Sequence, residues 1–369
     1  MILLEILGGN AMDKNIQFLK EITDINAVPG QEREAREFMR THMEKVADEV
    51  YQDNIGSIIA KKVGAEDGPK ILMAGHLDEV GFMVHYVDDR GFIKFITLGG
   101  WWNQVMLAQQ VTITTRSGNT YHGVIGSTPP HILTVEDRKK PVEIKEMYID
   151  IGVENKEEAE SLGIRPGDMI TPYTEFKTLA NEKFLLAKAW DNRLGCAVAI
   201  EVLNNLKDNS HPNIYYSVGT VQEEVGCRGA ATSSQLINPD IVFALDVGLA
   251  GDIPGVSNQI QAKMGKGPII TLVDGGLVGH RALREFVIEV AEELEIPHQF
   301  DVTLGGGTDA SRMHLAHDGA PAMSVGIPSR YIHSHTSIIH RDDYENTVRL
   351  MTELVKRLDN ERVQKIIMD

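Results

Sequence analysis

The chain has 369 residues, 42% hydrophobic and 24% charged, an ordinary globular composition with apolar material for a large core. A formal net charge of −17 argues against nucleic acid or an anionic membrane surface as a partner. Two cysteines, Cys196 and Cys227, form no CxxC pair, which excludes a disulfide framework and suits a reducing compartment; neither has the surroundings of a nucleophile.

MILLEILGGNAM is briefly apolar but lacks a basic lead and is broken by Glu5, so it is no secretory signal, and residues 1–11 read as an N-terminal extension. No later run reaches the length of an apolar span, and a cytosolic protein is expected. From Lys14 to Ala47 apolar residues recur at helical spacing, and Pro29-Gly30 divides the run into two helices. Strands are expected at Ile55–Lys62 and at Pro69–Gly75, the second running straight into His76. Between 82 and 176 the texture changes. FIKFITL, QQVTITTRSGNTYHGVIG and DMITPY alternate with period two between Gly, Asn and Pro turns, with one short helix at Asn155–Leu162. That segment reads as a small, mostly antiparallel, barrel-like insert. Beyond Lys183 helices (192–206, 230–236, 282–294, 343–358) alternate with buried strands (214–222, 241–246, 320–326). The fold expected is α/β. A mixed, largely parallel sheet is covered on both faces and built from 12–81 and 177–369, and the β domain 82–176 interrupts it.

Metal-ligand residue types fall where these strands end, the edge at which open α/β sheets bind ligands. His76 and Asp78 follow KILMAG. The histidine could bind a cation through one ring nitrogen while Asp78 accepts from the other, or both residues simply satisfy a turn. Asp191 precedes an amphipathic helix, as a helix cap or as a carboxylate able to bridge two cations. Glu223 and Glu224 close the strand YYSVGTVQ and face opposite ways, so one can bind metal while the other shuttles protons; a solvated pair is the plain alternative. Asp246 ends IVFAL, as a ligand or a cap. His333, His335 and His340 follow APAMSVG, where each is a ligand candidate or a packing residue. Together these groups could hold two divalent ions with a water or hydroxide between them, and a free glutamate could move its proton. The chemistry indicated is amide hydrolysis.

With these residues in place the chain resembles the tetrahedral aminopeptidases, the dinuclear metallopeptidases that include glutamyl and deblocking aminopeptidases and cellulase-like proteins. The resemblance runs from Met12 to Leu358 through AGHLDEVGFMV, GVIGSTPPH, LLAKAWDNRLGCAVAIEVL, GTVQEEVGCRGA, ALDVG, GGGTDASRMH and SRYIHSH. It implies removal of N-terminal residues from peptides by two divalent ions, zinc or cobalt. His76 would bind one ion with Asp78 orienting it, and Asp191 would bridge. Glu224 and Asp246 would complete the coordination, His333 would bind the second ion (His335 being the alternative), and Glu223 would be the general base. It further implies that Thr308 and Asp309 shape the substrate cleft, with His280 on its substrate side. The β insert would make dimers, and six dimers would make a hollow dodecamer. Two other functions compete. One is a metal-dependent hydrolase of another amide or of a glycosidic bond, although glycosidases ordinarily use two carboxylates and no metal. The other is a non-catalytic metal-binding shell, for which an unliganded Glu223 would have no use.

Overall fold

The computed structural model describes residues 13–256 and 260–369; the expected extension 1–11 lies outside them. Two helices, α1 (Lys14–Asp24) and α2 (Arg33–Met43), precede strands β1 (Glu49–Gln52), β2 (Ile58–Val63) and β3 (Lys70–His76). Six strands then close a barrel: β4 (Gly81–Val87), β5 (Ile93–Leu98), β6 (Gln110–Thr114), β7 (Thr120–Gly126), β8 (Tyr148–Asp150) and β9 (Met169–Pro172), with the short helix α3 (Lys156–Ser161) between the last two. The chain returns through β10 (Lys177–Thr178), β11 (Phe184–Ala187), α4 (Trp190–Asn205), β12 (Ile214–Thr220), α5 (Arg228–Ile237) and β13 (Ile241–Leu249). It ends with β14 (Ile269–Val273), α6 (Arg281–Glu293), β15 (Gln299–Val302), α7 (Ala310–Met313), β16 (Ala322–Arg330), β17 (Ser337–His340), α8 (Arg341–Arg357) and α9 (Asn360–Met368).

The large sheet runs β1-β2-β12-β3-β13-β16-β17-β11-β10, with β14 pairing β16 and β15. Its centre, β12-β3-β13-β16, is parallel and its flanks are antiparallel. In β3 alternate side chains serve opposite faces, as strand geometry requires. Ile71 and Met73 enter the larger core with Leu19, Met39, Leu203, Leu350 and Val363, while Leu72 and Ala74 meet Ala230 and Met313 on the other side. Both faces are thus covered by helices, the α/β architecture expected. The barrel has a separate core of Phe82, Phe95, Val111, Ile113, Ile149 and Ile170.

Strand β13 continues past the expected end at Asp246, because its pairing with β16 holds to Leu249↔Ser329 while its pairing with β3 stops at Ala244↔Ala74. The sheet therefore parts at Asp246, and the cleft opens there. Strands β1, β10, β11, β14, β15 and β17 and helix α9 had no counterpart in the sequence reading.

Candidate metal centre

His76 closes β3 in register with Thr220 of β12, and its side chain is buried. Its Nε2 lies 3.2 Å from Asp191 Oδ1, 3.7 Å from Glu223 Oε2 and 4.0 Å from Asp246 Oδ1. A second histidine, His333, puts Nε2 at 3.3 Å from Asp191 Oδ2 and 3.6 Å from Glu224 Oε2. Asp191 therefore turns one oxygen to each imidazole. Donor atoms of His76, Asp191 and Glu224, and again of His76, Glu223 and Asp246, lie within 4.8 Å of one another, spacings that could hold a metal ion.

Close backbone approach makes this convergence possible. A Cβ on Gly75 would stand 2.3 Å from the nitrogen of Cys196, and one on Gly195 would stand 2.2 Å from the carbonyl of Leu245. Two glycines thus let the start of α4 press onto β3 and β13, which sets Asp191 between His76 and Asp246. Asp191 does not cap the helix. It and Asn192 depart from helical φ/ψ, a cis peptide joins them, and Asn192 Oδ1 accepts from the Gly195 N–H at 2.9 Å.

The electrostatics show an acceptor-rich site. Burial, then the charge of neighbouring carboxylates, pushes Glu223 and Glu224 up to about 8 and Asp246 well above the usual range. Burial opposes the charged forms of the two histidines, yet the surrounding acids prevail: His76 is raised well above its ordinary value and His333 to about 10. Asp191 is held low despite its burial by hydrogen bonds to His333 and His76. Glu224 Oε1 is buried without a partner among the described residues. Four carboxylates facing two imidazoles, with an orphaned oxygen among them, fit cations. The groups crowd as acceptors, and positive charge between them would relieve the crowding.

Asp78 meets His76 differently from the expectation. Its backbone carbonyl, not its carboxylate, faces Nδ1 at 2.9 Å, and the nearer carboxylate oxygen is 3.8 Å away. The carboxylate instead accepts the backbone N–H groups of Glu223 and Glu224, each at 3.0 Å. The reason is competition: two unpaired amides at the end of β12 outbid one imidazole for a fully buried acid. Thr308 lines the cleft, its hydroxyl 2.6 Å from that of Ser324. Asp309 lies just beneath, accepting from Thr220 Oγ1 at 2.5 Å. His280 does not line the cleft. It stands at the start of α6, its backbone N–H donating to Ala322 O, and burial pulls its ring below the ordinary histidine value against the weaker pull of Asp369. His335 is buried against Trp101 and Phe82 with neither ring nitrogen partnered, and His340 caps α8 through the Asp342 N–H.

Other positioning groups had gone unnoticed. Gly100 O accepts from His333 Nδ1 at 2.8 Å, so the β5–β6 connection of the barrel orients that ring. Beneath His76, the buried acid Glu79 takes Lys188 Nζ at 2.6 Å and Arg193 Nη2 at 3.4 Å. Arg193 also donates to the carbonyls of Ile22, Ile25 and Leu77. The only sequence signals were a Gly-Gly pair and charges embedded in apolar runs.

The cleft above the cluster, about 580 Å³, is lined on its far side by Thr271, Asp274, Thr303, Gly305 and Ser324. The profile of the M42 glutamyl aminopeptidases matches residues 56–350, and one named AMPT matches residues 13–39. A glutamyl aminopeptidase of Lactococcus lactis is 35% identical over 351 residues, covering 94% of this chain and 98% of its own. The structure of a TET aminopeptidase from a marine-sediment Thaumarchaeota archaeon superposes with a TM-score of 0.93 at 43% identity, over 96% of this chain and 99% of that one. The TET1 peptidase of Pyrococcus horikoshii, which can assemble into a tetrahedron or a large octahedral shell, gives 0.83 at 33% identity, over 93% and 100%. A match across most of the chain in sequence and in structure, with the converged acids and histidines at its centre, makes this protein an aminopeptidase of the M42 family.

Proposed function

We propose that the protein is a dinuclear aminopeptidase that hydrolyses the N-terminal peptide bond of peptides, with zinc or cobalt as its ions. His76, Asp191 and Asp246 would hold one ion and His333, Asp191 and Glu224 the other. The observation carrying this reading is Asp191, whose two oxygens face two different histidines. Bound ions would acidify water and polarise the scissile carbonyl. Glu223 is the general base: its Oε2 faces the cluster 3.7 Å from His76 Nε2, no lysine or arginine among the described residues pairs with it, and it can take a proton from water and pass it to the leaving amine. Asp78 acts as a positioning residue by fixing the backbone from which Glu223 and Glu224 project. Thr308 shapes the cleft wall, and Asp309 supports it from below. Unpaired cysteines agree with a cytosolic setting, and no described helix is long and apolar enough to cross a membrane. By likeness to relatives that form shells, dimers through the barrel, six to a dodecamer, are the assembly inferred.

Glu223→Gln tests this directly. Metal content and assembly should persist while kcat falls on the order of a hundred- to ten-thousandfold; wild-type turnover would refute the role.

A further inference from the structure

Beside the cluster described above lies a third set of donors, which shares Glu223 with that cluster and adds Cys227 and Asp309, neither of them an ion ligand in the two-ion reading. Cys227, at the start of α5 and lining the cleft, has Sγ 3.2 Å from Glu223 Oε1. Glu223 thus turns Oε2 to His76 and Oε1 to a thiol. Asp309, only 3% exposed, completes the set: ligand atoms of Glu223, Cys227 and Asp309 lie within 4.8 Å of one another. Asp309 carries the independent sign that a ligand is wanted. Thr220 satisfies its Oδ2, while its Oδ1 is buried with no partner among the described residues. An orphaned carboxylate oxygen in a dry site costs free energy until something positive meets it.

The donor set has a chemical preference. Two carboxylate oxygens and one sulfur suit a borderline or soft divalent cation such as Zn²⁺ or Cd²⁺, and not Mg²⁺ or Ca²⁺, which take oxygen ligands. Cys196, the other cysteine, cannot take part, because it is buried and donates to the carbonyl of His76.

We propose that Glu223, Cys227 and Asp309 form a third, inhibitory site for a thiophilic divalent cation. Binding forms the metal–sulfur bond and releases the thiol proton to solvent, with no change of oxidation state. The ion takes the Glu223 oxygen that faces the thiol and so withdraws that side chain from proton transfer. Inhibition rests on reading Glu223 as the base; binding does not.

The test starts from enzyme already loaded with two equivalents of Zn²⁺ and titrates it with Cd²⁺. The wild type should show the ultraviolet thiolate-to-cadmium charge-transfer band, rising to one further equivalent, and turnover should fall with the same midpoint. In Cys227→Ala and Cys227→Ser the band should vanish. The Cd²⁺ needed for half-inhibition, relative to each variant's own starting rate, should rise at least about a hundredfold, since losing even a ligand-orienting partner costs metal sites ten- to a hundredfold. No band in the wild type, or a band that survives in both variants, overturns the site. A band without inhibition overturns the inhibitory role and leaves the Glu223→Gln result to judge the base separately.

Discussion

At the scale of single residues, Asp191 decides whether this is one metal site or two. A carboxylate that served only His76 would leave its second oxygen to solvent or to the helix, but here that oxygen is 3.3 Å from His333 Nε2 and the helix is capped by Asn192. Asp191→Asn removes the negative charge that both positions share and makes one of the two facing atoms a donor. After dialysis against a weak chelator the variant should retain less than half an equivalent at either position, measured by elemental analysis. Retention of one full equivalent would show that the ions do not share this residue. That these side chains meet was legible, because His and acids repeated at the ends of buried strands of one sheet share the edge at which such sheets bind ligands. Their orientation was not, and Asp78 shows why. Which of two groups a buried carboxylate accepts from depends on amides brought up by β12, a strand far away in the sequence. His280 failed for a similar reason: the resemblance implied the substrate side of the cleft, and the path of the chain from β14 into α6 turns it away.

At the scale of elements, helices with a clear apolar stripe and the buried central strands could be read from periodicity, whereas the short flanking strands could not. β17 has four residues and β10 two, too few for a period to declare itself, and both exist because a neighbouring edge is there to pair with. The junction beneath the metal centre was equally hidden. Glu79 and the pair Lys188 and Arg193 come from stretches more than a hundred residues apart, and all three are at most 5% exposed. Burial pulls the Lys188 ammonium below its usual range, yet Glu79 at 2.6 Å favours its charge, and Arg193 ties the end of α1 to the loop after His76. Glu79→Gln keeps the shape and strands two cations in a dry site. Breaking a buried pair in this way costs about 3–5 kcal/mol. The melting temperature should therefore drop by several degrees with the metal content preserved at low temperature; an unchanged melting curve would show that solvent reaches this junction.

At the scale of the whole molecule, the barrel's contact with the candidate metal centre and its proposed part in assembly must be separated before either can be tested. The barrel reaches into the metal centre, since Gly100 O orients His333, and it presents an outer surface carrying exposed apolar side chains. Excising residues 82–176 would disturb both at once, so activity is a poor measure of assembly. Mass is a good one: the remaining α/β unit keeps its own core, distinct from that of the barrel. If the barrel makes the dimer, the excised protein should run well below the dodecamer in light scattering while still melting cooperatively. A gentler change bears on the same point. Ile132 and Val135 are 75% and 69% exposed on the excursion between β7 and β8, which makes them the apolar side chains on which the proposed barrel contact can be tested. Ile132→Asp with Val135→Asp should leave folding untouched, since substitutions at exposed sites ordinarily stay within about 0.5 kcal/mol, and should shift the assembly toward smaller species. Should both proteins keep the full shell mass, the contacts that close it must lie on the α/β unit, and the barrel's contribution reduces to holding His333 in place.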